Sequence, residues 1–214
     1  MNRTVRRSAT ALLAVGLGVA ALAGCQPSNT PTVVETPQIS WEPSEPAGEF
    51  AGDRYAQVVG AASLGFVLAS NANDFTIAQL TETNTAARVQ ALYQNHVDQY
   101  VGANAQPIAW AGPLPRTVLD VTENAAGDGA EVLVCDVSTD WFINDAHPEP
   151  TLEDVTPLGL IFTIVTEDGA LKVDSTESGG GECEPGEVPL GRFEPEPKPA
   201  GEITEDSIRG PLKG

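Results

Sequence analysis

The chain reads as α+β, with a group of helices first and a run of antiparallel strands after them. Three observations point there. Apolar residues recur at helical spacing from about residue 53 to 101, then alternate with polar ones from about 107 to 175. An Asp168-Gly169 pair near the end of that second stretch marks a tight hairpin. Helices and strands segregated along a chain in this way pack as helices on one face of a sheet.

In the first half, Asp53 is placed to cap a helix, Tyr55 to Ser70, in which Tyr55, Val58, Val59, Ala62, Phe66 and Val67 share one side. It ends near Ser70-Asn71-Ala72-Asn73. Asp74 then caps a short helix, Phe75 to Leu80. A third helix runs from Thr85 or Ala86 to Val101, and Gly102 stands at its stop position. Val89, Leu92, Tyr93, His96, Val97, Tyr100 and Val101 form its apolar stripe.

The second half reads as strands. Pro107 to Trp110 is a short one, ended by Gly112-Pro113-Leu114-Pro115. Arg116 to Glu123 is the next, and a turn through Asn124 to Gly129 leads into a long strand, Ala130 to Phe142. A proline-bearing loop, Ile143 to Pro157, separates it from the hairpin of Leu158 to Thr166 and Ala170 to Ser175.

On either side the composition changes. Residues 25–50 are rich in Pro, Thr, Ser and Glu and read as an extended tether, with Trp41 and Phe50 as its aromatics. Residues 184–214, centred on Glu194-Pro195-Glu196-Pro197-Lys198-Pro199, read as an acidic, Pro-rich disordered tail. The globular unit is therefore 51–183, one domain with no internal repeat.

Residues 1–24 carry a different signal. Arg3, Arg6 and Arg7 precede an uncharged apolar stretch, Ala11 to Ala23, and Leu22-Ala23-Gly24-Cys25 closes it. That layout resembles the signal peptide and lipobox of bacterial lipoproteins, which implies diacylglycerol on the Cys25 sulfur and loss of everything before it. The apolar stretch is too short to cross a bilayer, which needs roughly 20 residues. A plain signal peptide cleaved after Ala21-Leu22-Ala23 is the alternative. Lipidation would put the protein on the extracytoplasmic face of the cell membrane.

With 11 basic and 30 acidic side chains, the formal charge is −19. Removal of Arg3, Arg6 and Arg7 with a signal peptide makes it more negative still. Such a surface repels nucleic acid and anionic headgroups, so neither is an expected partner. The membrane is expected as a partner through the lipid anchor alone. With Cys25 assigned to lipid, Cys135 and Cys183 remain, and outside the cytoplasm two leftover thiols form a disulfide.

The order and length of these elements resemble the NTF2-like (cystatin-like, SnoaL-type) superfamily over about residues 51–176. The resemblance rests on the apolar helix Tyr55 to Ser70 followed by Asp74-Phe75, and on the strand Ala130-Glu131-Val132-Leu133-Val134-Cys135-Asp136. It implies helices laid across a curved antiparallel sheet, forming a cone with a pocket inside. Composition and resemblance both suit an actinobacterial lipoprotein.

Several residues could carry chemistry. His96 lies one turn from Tyr93 and one from Tyr100, so the three share a side as a candidate ligand-binding set, or serve as ordinary core. Asp136, Ser138 and Asp140 share a strand face with Val132 and Val134. Pointing into the cone, Asp136 is a candidate general base, as in the steroid-isomerase branch of the superfamily. The expected arrangement is the opposite one, with Leu133, Cys135, Val137 and Trp141 in the core and the acids wet, because burying charge is costly.

The loop from Asn144 to Asp154 gathers four carboxylates and His147, but lacks the spacing for calcium or the His and Cys for zinc. It reads as a solvated loop tip. Trp110 and Trp141 read as core. No nucleophile elbow, P-loop, dinucleotide fingerprint or zinc-protease motif occurs, and the residues predict no cofactor and no metal.

Together these features predict a lipid-anchored extracytoplasmic protein without a catalytic set, binding a small apolar ligand or an envelope partner protein. The alternatives are an NTF2-like enzyme with His96 or Asp136 as base, and a structural or interaction module of the envelope.

Overall fold

The computed structural model describes residues 31–45, 48–102, 105–152 and 155–211. Cys25, the signal segment and the acids Glu153 and Asp154 lie outside them. The fold is α+β. Three helices, α1 (Arg54–Ala72), α2 (Ala78–Thr81) and α3 (Ala86–Tyr100), follow a first strand β1 (Gln38–Glu42). Seven strands come after: β2 (Ala109–Trp110), β3 (Arg116–Glu123), β4 (Ala130–Asp136), β5 (Phe142–Ile143), β6 (Leu158–Glu167), β7 (Ala170–Glu182) and β8 (Leu190–Glu194).

The main sheet is antiparallel in the order β3-β4-β6-β7. Its register puts Val118, Val134 and Leu160 in one cross-strand row, and Val121, Val132 and Phe162 in the next. These residues face α1, whose Tyr55, Val59 and Ala62 complete a core with Ala130, Ile164 and Val173. Asp53 caps α1 through its side chain, which accepts from the Tyr55 and Ala56 amides at 2.8 and 2.9 Å. Loop residues Thr83 and Thr85 bond the backbone of Val173, anchoring the start of α3 to the outer edge of β7.

Two turns of one kind set where elements stop. Asp74 Oδ1 accepts from the Thr76 amide and hydroxyl at 2.9 and 2.6 Å. Asp136 Oδ1 accepts from the Ser138 amide and hydroxyl at 3.0 and 2.6 Å. A short acid that bonds its own backbone two residues on competes with regular structure. Asp74 therefore holds a turn and does not cap a helix from Phe75, and α2 begins only at Ala78. The long strand expected from Ala130 to Phe142 likewise breaks at Asp136, leaving the two-residue β5 to pair with β2.

The flanking segments depart most from the sequence reading. Within the stretch read as a tether, β1 pairs antiparallel with β8, which lies in the stretch read as a disordered tail. Phe193, Ile203 and Ile208 are buried with Val67, Phe75, Leu80 and Val89 in a second core. Arg209 bonds the backbone of Asn73 and Phe75, and Thr32 bonds that of Thr76 and Ala78, so both flanks grip one turn. Arg209 also pairs with Asp74 at 3.0 Å. Low apolar content hid this because each flank needs few anchors, and proline-rich backbone is already extended for wrapping.

Two glycines permit the wrapping. A Cβ on Gly112 would lie 1.9 Å from the Gly191 carbonyl oxygen, and one on Gly191 would lie 2.8 Å from the Trp41 ring. The disulfide Cys135–Cys183 joins β4 to the chain just beyond β7, with Cα atoms 5.8 Å apart and a sequence separation of 48. In the chain-entropy account a loop of that size stabilises by roughly 4 kcal/mol. Among the described residues no helix is long and apolar enough to cross a membrane.

Candidate functional site

Between α1, α3 and the helix-facing side of the main sheet lies a cavity of about 250 Å³. Its floor is buried and includes Ala62, Asp136, Phe162 and Val173; its rim is half-exposed and includes Phe66, Arg88, Leu92 and Thr176. A cavity of about 150 Å³ holds a benzene ring, so this one has room for a small ligand.

The floor is organised by one ion pair. Arg116 and Asp136 are direct cross-strand partners at the start of β3 and the end of β4. Arg116 Nη2 lies 2.8 Å from Asp136 Oδ2, and both side chains are only 11% exposed. Arg116 Nη1 donates to Ser63 Oγ on α1 at 2.7 Å, and that hydroxyl donates on to the Val59 carbonyl. The guanidinium also stacks 5.2 Å over the Phe162 ring. Burial pushes the Arg116 guanidinium down from its ordinary value, and Asp136 pulls it back up.

This overturns the expectation that Asp136 is wet. Val132, Val134 and Asp136 face the helices, whereas Leu133 and Cys135 face the other way. The cost of burying the carboxylate is offset by a cation directly opposite, which inspection of β4 alone does not reveal. Ser138 also lines the cavity; Asp140 is half-exposed and does not.

Arg88, in the first turn of α3, is the second guanidinium on the cavity wall. Its Nη2 donates to Thr176 Oγ1 at 3.0 Å. Burial lowers its pKa, and the Asp174 charge acts in the opposite sense. The Nε atoms of both Arg88 and Arg116 are buried without a hydrogen-bond partner. Neither arginine was singled out in the sequence. The available signal was their rarity: an arginine opening a strand beside Leu114-Pro115, in a chain with so few cations, is an unusual placement.

His96 lies elsewhere. It is 5% exposed, its Nε2 is 2.8 Å from Asn73 Oδ1, and its Nδ1 is 3.5 Å from Ser70 Oγ. Phe75 and Tyr100 pack on its ring at 5.1 and 4.8 Å between centroids. Burial pushes its pKa down to about 4, and the Tyr100 hydroxyl up to about 12. Tyr93 stacks edge-on against Phe75. The trio of Tyr93, His96 and Tyr100 thus belongs to the second core, and His96 and Tyr93 do not line the cavity with Asp136.

A second cleft, of about 330 Å³, is lined by Tyr100, Trp110, Phe142 and Asn144 among others. Trp110, expected in the core, is half-buried there, and its backbone is held by both polar atoms of the Asn71 side chain. Trp141 is buried as expected, under Arg192. His147 is exposed at its loop tip. Among the described residues no group of His, Cys, Asp and Glu is placed to hold a metal ion.

No family model, no curated protein and no solved structure matches this chain.

Two predictions follow from these environments. Asp136→Ala leaves Arg116 buried and unpaired and should cost about 3–5 kcal/mol in urea unfolding. The double variant Arg116→Met/Asp136→Leu should recover most of that loss; equal destabilisation would show that the pair itself is not the cause. His96 is the second case. Its folded pKa is depressed, so the unfolded chain binds the proton more readily. Stability is full above the ordinary value of 6.5 and should fall as pH drops from there toward 4, by on the order of 3 kcal/mol. His96→Gln should flatten that slope between pH 4.5 and 6.5, and an unchanged slope would assign it to another group.

Proposed function

We propose that this protein is a lipid-anchored, extracytoplasmic binding protein that takes a small, largely apolar ligand into the cavity between α1, α3 and the main sheet. One observation carries the reading: a cavity lined by Phe66, Leu92, Leu114, Leu160 and Phe162, with the Arg116–Asp136 ion pair at its floor. Ligand sites are typically concave and mostly apolar, with a few convergent polar groups. The NTF2-like cone offers a natural description of helices resting on one face of an antiparallel sheet above a pocket. That description remains an analogy of architecture, and function is argued from the site.

Asp136 is the group on which an enzymatic reading would depend. Its Oδ1 holds the Ser138 amide and hydroxyl, and its Oδ2 holds Arg116. A carboxylate that holds a turn through one oxygen, and whose other oxygen is buried 2.8 Å from a guanidinium, is poorly disposed to take a proton from a substrate. That favours binding over proton abstraction.

For the anchor, the support is the Leu22-Ala23-Gly24-Cys25 sequence and the disulfide, which suits an oxidising compartment. The chain is gripped again at Thr32. Seven residue steps from Cys25 span at most about 25 Å, so an acylated Cys25 would hold the domain close to the bilayer, not on a long leash.

In calorimetric titration, 1-octanol should bind the chain that starts at Gln26, which keeps every described residue. Ala62→Leu, which fills the floor, should weaken that binding by about tenfold; undiminished affinity would place the ligand elsewhere. Cys25→Ala in cells should leave uncleaved precursor or release the protein to the soluble fraction. Mature-size protein retained on the membrane would overturn lipidation.

A further inference from the structure

We infer that the cavity selects a ligand with a carboxylate head, which Arg88 receives at the rim while the apolar body lies over Phe66 and Phe162. This deepens the binding reading above and rests on it. The charge count inside the cavity is the first argument. Arg116 is matched by Asp136 at 2.8 Å, whereas Arg88 makes no ion pair among the described residues. Asp174, whose charge acts on Arg88 without an ion pair, is exposed on β7 and accepts a hydrogen bond from the Thr85 hydroxyl at 3.0 Å. The cavity therefore carries one surplus positive charge in a chain whose net charge is −19.

Guanidinium geometry is the second argument. Arg88 lines the cavity with its Nη2 donating to Thr176 Oγ1 at 3.0 Å, whereas the Nε atoms of Arg88 and Arg116 and the Asp136 Oδ2 atom are buried without hydrogen bonds and out of a ligand's reach. Guanidinium forks match the planar oxygens of a carboxylate, and one surplus charge suits a monoanion better than a phosphate monoester. The first turn of α3, from which Arg88 projects, adds the positive end of that helix.

Apolar surface is the third. Phe66, Leu92, Leu160 and Phe162 line the remaining wall, so the anion must bring a hydrocarbon body with it. A free inorganic anion would leave that surface unfilled.

The test compares three probes of one chain length, octanoate, 1-octanol and octylamine, by calorimetric titration at neutral pH into the chain that starts at Gln26. Octanoate should bind about tenfold more tightly than 1-octanol, the order expected of a charge-assisted hydrogen bond. Octylamine should bind most weakly. That order is diagnostic because the overall negative charge of the protein favours the amine. Arg88→Gln should remove the octanoate advantage and leave 1-octanol within about twofold. Arg88→Lys should restore part of it.

Equal binding of octanoate and 1-octanol would overturn the carboxylate assignment and leave the apolar-ligand reading standing. Binding of neither would overturn both. A preference for octanoate that survives Arg88→Gln would overturn the role of Arg88. Because the wild-type ratio is informative alone, the proposal stays falsifiable if a variant fails to fold.

Discussion

The pairing of Arg116 with Asp136 is the constraint around which the rest is arranged. It sits where β3 begins and β4 ends, so it holds two neighbouring strands in register beside the helix–sheet core. Through Ser63 it also ties the sheet to α1. Two charges removed from water are tolerable only when their hydrogen-bonding groups are engaged. Here Asp136 Oδ1 holds the Ser138 turn and Arg116 Nη1 holds Ser63, while Oδ2 faces Nη2 at 2.8 Å as an ion pair, and Oδ2 and the Arg116 Nε are buried without a hydrogen bond.

A second core sits beside the first and is built differently. Its helical components, α1, α2 and α3, are covered by residues from both ends of the described chain. Asp74 plays there a part like that of Asp136. One oxygen holds a turn and the other meets an arginine, Arg209, from the far end of the chain. The two acid-centred turns thus convert local hydrogen bonding into long-range connections. The disulfide adds a third such connection on the opposite face of the sheet, where Cys135 points away from α1.

Separation of these two cores explains why His96 and Asp136, both candidate bases on inspection, have different environments. His96 is sealed among Phe75, Tyr100, Asn73 and Ser70, with nothing in reach that a substrate could present. Asp136 borders space. An uncharged, buried imidazole and a paired, cavity-lining carboxylate are different physical objects, although each lies on a face shared with apolar residues.

The sequence by itself determined the elements whose cause is local. The stripe of α3, the Asp53 cap of α1, the span of β3 and the Asp168-Gly169 hairpin all depend on residues within a few positions of one another. The pairing of Cys135 with Cys183 was legible by elimination. Tertiary structure decided which face of β4 is buried, because the cation that makes Asp136 tolerable lies twenty positions upstream on another strand. It likewise decided that the proline-rich flanks are part of the fold. Low apolar density disfavours a free-standing core, but it says nothing of segments that add three or four anchors to a core already formed.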